Sequence, residues 1–562
     1  MSILSQIVDF LGPIQLIIIT TIVSVLTYHY FKWKRLLSYW SSRNIDGPKP
    51  LPIFGNFLAK FFIPKPQLEL QWYRQFGRLY GTYTGDKPDL TVARPELIKQ
   101  ILVKDFHRFR NRREQGSGSR SSSATDPLSK NMFNTRDDTW KRIRAIASPT
   151  FTSGKLRKLY TLIGQCCDEF DRHLDGMVNH GRDSSSRIEL KKLMGQLTMD
   201  VIARCAFATK PNTYTDDDPD SDQFTRSANS IFAIPVWRLI LSAVLPTWVR
   251  RLRLVRRILR GPDVDFFVHL GRKLMAHRRQ TLAKHNDFLQ LLMDAEYTGV
   301  GSDGSVEHRE SSDQQHEAHY LNEGHTDQVL ANREAIGNVL SATKRLTEDE
   351  ILGQCFIFFI AGYETTATTL AFCTYELALN PRLQDRLYDE VNGAAVQQNG
   401  NIDYELLSSL PFLDSLISET LRKYPPVLRL EREAMDDIQL GGDDTTGSIH
   451  VEKGTVCEIP VYAIHHDPQY YPEPDRFNPD RFMPDNRHQI KPYTYLPFGS
   501  GPRNCIGMRF ALLESKLALA KLSRRYRFRR LPETDVPVVY NKGRDLLQAR
   551  RLVVGIEKRD EN

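Results

Sequence analysis

The stretch that decides the fold is the ten-residue run Phe498-Gly499-Ser500-Gly501-Pro502-Arg503-Asn504-Cys505-Ile506-Gly507. Two glycines and a proline exclude regular structure ahead of Cys505, whereas the run from Ile506 to Ala520 favours a helix with an apolar face. Cys505 is therefore expected on a tight loop at the start of a helix, where backbone N–H groups and the helix dipole favour a thiolate. Arg503 adds a cation two residues away. A thiolate held in this way can ligate iron, and a buried structural cysteine in a glycine-rich turn is the alternative.

The spacing Phe-x-x-Gly-x-Arg-x-Cys-x-Gly within this run resembles the haem-binding loop of the cytochrome P450 family, the haem-thiolate monooxygenases. The resemblance implies the cytochrome P450 fold, which is mainly α with a small β region. It also implies haem b (iron protoporphyrin IX) as the cofactor, with Cys505 as the iron ligand and Arg503 among the haem-binding residues. Motifs of the family follow in order from residue 46 to about 559, so the resemblance covers nearly the whole chain.

The composition excludes some classes of function. The 562 residues include 76 basic and 68 acidic side chains, and the net charge of +8 is too mild to indicate nucleic-acid binding. The seven cysteines are odd in number and form no Cys-x-x-Cys pair, which indicates a reducing compartment and argues against a disulfide framework or a zinc site. Length alone would suggest several domains, whereas the resemblance implies one large catalytic domain.

An almost uncharged apolar stretch, residues 14–31, predicts an N-terminal transmembrane helix. Its roughly 18 residues are near the lower limit for spanning a bilayer, and the basic flank at 32–35 should remain cytoplasmic. A cleaved signal peptide is the alternative, but the N-terminus lacks the basic start of one. We therefore predict a single-pass anchor over 1–35, a proline-rich hinge over 36–56 and a cytoplasmic catalytic domain over 57–562. The resemblance implies the endoplasmic reticulum membrane.

Further haem-binding residues follow only from the resemblance, which implies propionate contacts for Arg112, Trp140, Arg144 and Arg432. Trp140 and Arg144 are four residues apart and so share one helix face. A core tryptophan beside a solvated arginine is the alternative. Arg432 ends the segment 424–432, which is expected to line the substrate pocket together with the turn 546–548.

A long helix is predicted between a capping box at Thr347 and Glu350 and an end near Leu379, just before Asn380-Pro381. It would be roughly 50 Å long, enough to cross a whole domain.

The centre of this helix, FFIAGYETT over 358–366, places an acid and two hydroxyls in apolar surroundings, where burial without a purpose is costly. It resembles the oxygen-activation site of the family. The resemblance implies that Ala361 and Gly362 leave room for dioxygen, and that Glu364 and Thr365 relay protons. The alternative is a helix-packing notch with a hydrogen-bonded threonine.

Glu419 and Arg422 lie three apart on one predicted helix face, which by itself is a weak signal. Together with Arg481 they match the Glu-Arg-Arg network of the family. This match implies a buried structural lock on the haem side of the core.

Two segments lie outside these motifs. The segment 246–260, PTWVRRLRLVRRILR, alternates basic and apolar blocks and predicts an amphipathic helix on a membrane surface, with a solvated basic face as the alternative. Residues 297–343 are polar and lack periodicity, so we expect a disordered surface insertion.

These features predict a monooxygenase that inserts one oxygen atom from O2 into a lipophilic substrate such as a steroid, a fatty acid or a xenobiotic. The resemblance implies electrons from NADPH through NADPH-cytochrome P450 reductase, with cytochrome b5 as an optional second donor. The stretches 148–156 and 287–293 resemble the steroid- and drug-oxidising branch, which also contains thromboxane synthase. The alternatives are an isomerase of the thromboxane-synthase type, which has no use for the acid–threonine pair, and a non-enzymatic haem sensor or sterol carrier.

Overall fold

The computed structural model describes residues 13–52, 54–113, 127–179, 186–207, 209–211, 263–281, 287–297, 345–441 and 447–559, together with Tyr320 and isolated positions between 214 and 258. The predicted insertion 297–343 lies outside the described residues except for Tyr297 and Tyr320. Most of the membrane-surface segment 246–260 also lies outside them.

Helices make up most of the described chain. The α-helices are α1 (Pro13–Ser41), α2 (Ala59–Phe62), α3 (Lys65–Phe76), α4 (Pro95–Lys99), α5 (Asp137–Ala147), α6 (Ser153–Asn179), α7 (Leu190–Phe207), α8 (Asp263–Thr281), α9 (Phe288–Tyr297), α10 (Glu348–Leu379), α11 (Pro381–Gln397), α12 (Tyr404–Ser408), α13 (Pro411–Lys423), α14 (Val461–His465) and α15 (Met508–Arg525). Short 3₁₀ or π turns lie at Gln100–Lys104, Phe106–Arg108, Pro127–Lys130, Ser148–Phe151, Pro479–Phe482 and Arg487–Gln489.

Short strands form three small sheets within the described residues. The strands are β1 (Leu79–Thr84), β2 (Lys87–Val92), β3 (Ser186–Glu189), β4 (Leu430–Glu433), β5 (Ile438–Gly441), β6 (Ser448–Val451), β7 (Val456–Ile459), β8 (Tyr526–Arg529) and β9 (Val553–Lys558). The sheet orders are β1-β2-β7-β4, β3-β9-β8 and β5-β6. β1 and β2 form an antiparallel hairpin in which Tyr80 faces Thr91, while β2 runs parallel to β7. The small β region that the resemblance implies is therefore confirmed.

The central element is α10, which is apolar on all sides and largely buried. Its predicted capping box is confirmed, because the Thr347 hydroxyl accepts from the Glu350 N–H at 3.3 Å and the Glu350 carboxylate accepts from the Thr347 N–H at 2.8 Å. The helix ends at Leu379, as predicted. It packs along α7 and also contacts α13 and α15, which carry the other motifs.

The N-terminal helix α1 continues to Ser41, beyond the predicted end of the anchor at residue 35. Its first turns expose apolar side chains, and over Gln15–Ser41 it is long and apolar enough to cross a membrane. Its last turns pack on later parts of the chain: Trp33 Nε1 donates to the carbonyl O of Pro50 in the predicted hinge at 3.1 Å, and the buried Trp40 ring lies against Gly81 of β1 in the catalytic domain. These long-range contacts extend the helix past the boundary that hydropathy indicated.

Candidate active site

A cavity of about 900 Å³ is bounded by the loop 498–507, α10, β4 and the C-terminal turn at Leu546. It brings together seven residues selected from distant parts of the sequence: Arg112, Ala361, Gly362, Thr365, Arg432, Arg503 and Cys505. Trp140, Arg144 and Glu364 do not line it. The cavity is the candidate active site, because it joins the predicted iron ligand to the centre of α10.

The loop that carries Cys505 is closed by its own backbone. The Cys505 N–H donates to the carbonyl O of Phe498 at 2.9 Å, and the Asn504 N–H donates to that of Gly501 at 2.9 Å. Gly501 has a φ of +74°, and a Cβ there would lie 1.9 Å from the carbonyl O of Leu102, so this turn requires glycine. Cys505 is thereby held on the cavity wall, three residues before α15 begins.

The charges around Cys505 differ from the expectation. The thiol faces an interior cavity, and this burial raises the pKa of Cys505, which opposes the thiolate. The Gly507 N–H, Arg144 and Arg112 lower the pKa and so favour the thiolate. Arg503, the expected cation, instead lies over the ring of Trp140. The local sequence indicates the tight loop and the helix start that favour a thiolate. The burial that raises the pKa of Cys505 depends on the whole fold and is not visible in the local sequence.

Four guanidinium groups lie around this end of the cavity: those of Arg432 and Arg503 are buried, and those of Arg112 and Arg144 are partly buried. Burial lowers the pKa of each arginine, to about 10 in Arg112, about 10 in Arg144, about 9 in Arg432 and about 7 in Arg503. In Arg503 the neighbouring arginines lower the pKa further. The Nε of Arg432 and the Nε and Nη1 of Arg503 are buried without a hydrogen-bond partner.

Such a cluster of cations with unsatisfied donors requires an anionic group, since buried donors and charges are costly when unpaired. The two propionates of a haem would supply both the negative charge and the acceptors. The donor set around Cys505 therefore fits haem b.

Trp140 and Arg144, on one face of α5, support the cysteine loop. Arg144 donates from Nη1 to the carbonyl O of Asn504 at 2.9 Å and from Nη2 to its side-chain O at 2.7 Å. The Arg503 guanidinium lies 4.4 Å from the centroid of the buried Trp140 ring. The two residues hold Arg503 and Asn504, which directly precede Cys505 in the loop, and their contact with propionates remains a prediction.

The centre of α10 presents Thr365 to the cavity. Its Oγ1 donates to the carbonyl O of Ala361, one turn earlier, at 2.6 Å. Ala361 is exposed although most of the helix is buried, so the two residues form a small polar notch in the cavity wall. Gly362 has another effect: a Cβ there would lie 2.8 Å from Cδ1 of Ile202, so glycine lets α10 pack closely against α7.

Glu364 is directed away from this notch. It is 4% exposed, its Oε1 accepts from Nε2 of Gln548 at 2.7 Å, and the same oxygen lies 3.1 Å from Nζ of Lys191 on α7. The acid and the threonine of the predicted proton relay therefore occupy different surroundings. The part played by Glu364 in proton transfer remains a prediction, and Lys191 and Gln548 are the groups that fix its carboxylate.

Glu419 and Arg422 of the Glu-Arg-Arg network are buried, as predicted, whereas Arg481 is partly exposed. Arg422 donates from Nε and Nη2 to the two carboxylate oxygens of Glu419 at 2.7 and 2.8 Å, whereas Nε of Arg481 lies 3.7 Å from Glu419. His465 extends the network, because its Nδ1 donates to the carbonyl O of Arg422 at 3.1 Å and its Nε2 accepts from the Leu496 N–H at 2.9 Å. The network thus reaches the segment that leads into the cysteine loop.

Two of these residues were missed by sequence reasoning: Lys191 and His465. Gln548 was expected to line the pocket with the rest of the turn 546–548, but Leu546 is the residue of that turn that lines the cavity, and Gln548 instead binds Glu364. Lys191 and His465 carried no local signal, because their contacts depend on packing between distant segments.

Comparison with known proteins gives a consistent result. A family model described as "Cytochrome P450" matches the chain over residues 45–322 and 305–554. Cytochrome P450 3A11 of Mus musculus is 33% identical over 548 residues, which is 97% of this chain and 96% of the mouse protein. Cytochrome P450 3A2 of Rattus norvegicus is 32% identical over 526 residues (93% of this chain, 92% of the rat protein), and cytochrome P450 6k1 of Blattella germanica is 32% identical over 527 residues (93% of each).

Proposed function

The chain belongs to the cytochrome P450 family, and on this basis we propose that it inserts one oxygen atom of O2 into a lipophilic substrate such as a steroid, a fatty acid or a xenobiotic. Membership makes it a haem b enzyme that incorporates molecular oxygen. The observation that carries the proposal is the cavity that Cys505 and Thr365 line together. Electrons would come from NADPH through a flavoprotein reductase, with cytochrome b5 as an optional donor, and the site of action would be the endoplasmic reticulum membrane.

We assign the haem to the end of the cavity at Cys505. Cys505 would ligate the iron, while Arg112, Arg432 and Arg503 would receive the propionates, and Arg144 and Trp140 would hold the loop. The bound haem supplies dioxygen activation, which its thiolate ligand favours.

The remaining lining is suited to a lipophile. It includes Ile202, Phe288, Phe358, Val427 and Leu546. The cavity volume of about 900 Å³ includes the space assigned to the haem, and the substrate would occupy the remainder. These side chains would orient the substrate and exclude bulk water from the reacting atoms.

Thr365 is the proposed proton donor on the cavity wall. Because its hydroxyl hydrogen is engaged with Ala361, the Oγ1 lone pairs remain available to accept from a water in the cavity. In such a relay, Thr365 Oγ1 would take a proton from that water while its own hydroxyl hydrogen leaves the carbonyl O of Ala361 and moves toward dioxygen, and the water would be reprotonated by other water in the cavity. Glu364, one residue away, would take part in the proton relay through Thr365 and its water.

The first prediction tests whether Cys505 is the iron ligand. Cys505→Ala should remove the thiolate-specific absorption band of the reduced carbon monoxide complex, since sulfur ligation produces it. The matched control is Cys457→Ala, which replaces a buried cysteine on β7 and should retain the band. A Cys505→Ala protein that keeps the band would show that another residue ligates the iron.

The reaction class is tested with purified holoprotein, reductase and a panel of lipophiles. The monooxygenase should consume NADPH and form oxygenated product together. Turnover of a supplied endoperoxide without NADPH, in place of NADPH-dependent product, would indicate the isomerase instead.

A further inference from the structure

Tyr320 is the described residue within the stretch 298–344, and it is completely buried. Its hydroxyl lies 2.7 Å from Oγ of Ser418 and 3.3 Å from Oδ1 of Asp414, both on α13. Its ring meets Phe498 edge-on at 5.7 Å between centroids and lies 6.0 Å from the ring of Tyr495. Tyr320 thus joins α13 to the segment that begins the cysteine loop.

The contact with Phe498 reaches Cys505 in one further step. The carbonyl O of Phe498 accepts the Cys505 N–H, and the Phe498 residue also lines the cavity. Tyr495 is fixed to the same helix, because its hydroxyl donates to the carbonyl O of Ser418 at 2.9 Å. The start of the loop is therefore held against α13 both by Tyr495 and by Tyr320.

Tyr320 lies in the region where the cytochrome P450 family model matches the chain in two overlapping pieces and not in one continuous stretch. The two matched pieces, 45–322 and 305–554, overlap over 305–322, which includes Tyr320. Tyr320, a residue from this overlap, occupies a fully buried position beside the cysteine loop.

We propose that Tyr320 is a positioning residue for Cys505, which clamps Phe498 against α13 and thereby keeps the cysteine sulfur in place as iron ligand. The inference rests on the proposed function, since it concerns the ligation of haem iron by Cys505. Tyr320 acts through Phe498 and does not touch the reacting atoms.

The ring and the hydroxyl of Tyr320 make different contacts, and substitutions can test these contacts separately. The ring packs on Phe498, whereas the hydroxyl binds Ser418 and Asp414 of α13. Tyr320→Ala removes both contacts and leaves a space beside Phe498. Tyr320→Phe keeps the ring and releases only the hydroxyl, so it tests how the clamp is fixed with little risk of misfolding.

The experiment follows loss of the thiolate band of the reduced carbon monoxide complex with time, together with haem transfer to an excess of apomyoglobin. From the typical strength of an aromatic contact, Tyr320→Ala should lose the band roughly 2- to 12-fold faster than the parent protein. The rate of band loss in Tyr320→Phe should lie between the rates of the parent protein and of Tyr320→Ala. Haem transfer should accelerate in the same order.

The control is Tyr526→Ala, which removes another fully buried tyrosine whose hydroxyl binds Asp171 and Asp175, away from the cysteine loop. It should lower thermal stability without accelerating loss of the band. The inference is overturned if Tyr320→Ala behaves like the parent protein, or if the two alanine variants lose the band equally. Cys505→Ala, measured alongside, separates this failure from a failure of the proposed function, which would leave the band in that variant.

Discussion

Thr365 and Glu364 are adjacent on α10, yet only Thr365 borders the cavity. Glu364 is held by Gln548 and Lys191 in the protein interior. Of the two, Thr365 is therefore the residue proposed to touch the reacting atoms, and Glu364 is proposed to act through it. The two residues should respond differently to substitution.

Thr365→Ala should still bind haem and accept electrons, but product formed per NADPH should fall and hydrogen peroxide should rise. The physical reason is the loss of a positioned proton donor, whose contribution is typically about 10²–10⁴-fold in rate. Thr365→Ser, which keeps the hydroxyl, is the matched control and should retain most of the coupling. If Thr365→Ala couples NADPH to product as the parent does, the helix-packing alternative is correct.

Glu364→Gln should lower the coupling of NADPH to product less than Thr365→Ala does, because the amide can keep its contact with Gln548 while the charge is lost. Lys191→Met should change the coupling only while Glu364 is present. The measurement is a double-mutant cycle on product per NADPH, in which the two substitutions should be strongly non-additive. Additive effects would mean that Lys191 influences the enzyme by another route.

At the scale of elements, α13 and α14 are linked by a buried polar network whose neutral member is His465. Burial, and then the charge of Arg422, lower the pKa of His465 to about 3. The imidazole must stay neutral, because Nε2 accepts the Leu496 N–H. The network is therefore intact only while His465 remains unprotonated.

The neutral state of His465 in the folded protein predicts how the free energy of unfolding depends on pH. Below about pH 6.5 the unfolded chain binds a proton at His465 that the folded protein does not, so the free energy of unfolding should fall as the pH falls. The slope from this residue is about 1.4 kcal/mol per pH unit between roughly 6.5 and 3. Denaturant unfolding at about pH 7 and pH 5 should show a smaller pH effect in His465→Asn. His450→Asn, on the exposed face of β6, should leave the effect unchanged.

Sequence reasoning worked where the interaction was local. The capping box at Thr347, the helix end at Leu379 and the Glu419–Arg422 pair all depend on neighbours within four residues. The cysteine loop was also predictable, because glycine and proline restrict the backbone directly. The Lys191–Glu364 contact, the neutral state of His465 and the raised pKa of Cys505 were not predictable, since each depends on burial between distant segments.

At the scale of the whole molecule, two regions are expected to hold the protein on a membrane: α1 and the segment 246–260. Exposed apolar side chains along α1 fit a lipid environment. The last turns of the same helix belong to the catalytic domain, through the buried Trp40.

Deletion of residues 1–35 should weaken membrane association without abolishing it, because 246–260 is expected to supply a second contact. The measurement is the fraction of protein that sediments with membranes. Trp40→Ala is the matched control: it keeps the anchor, so sedimentation should be unchanged, while stability should fall by about 3–5 kcal/mol. Complete release after the deletion would contradict the second contact.

The continuity of α1 also bears on how lipids could influence the enzyme. A helix of this kind adjusts to a thinner or thicker bilayer by tilting. α1 runs without interruption from its apolar turns to Trp33 and Trp40, and Lys32 on the same helix forms an ion pair with Asp86. Because Asp86 lies between β1 and β2, a change in the tilt of α1 would also turn the β1-β2 hairpin. The catalytic domain would then rotate over the headgroups with the helix, so that lipid chain length would decide which side of the protein faces a substrate dissolved in the membrane.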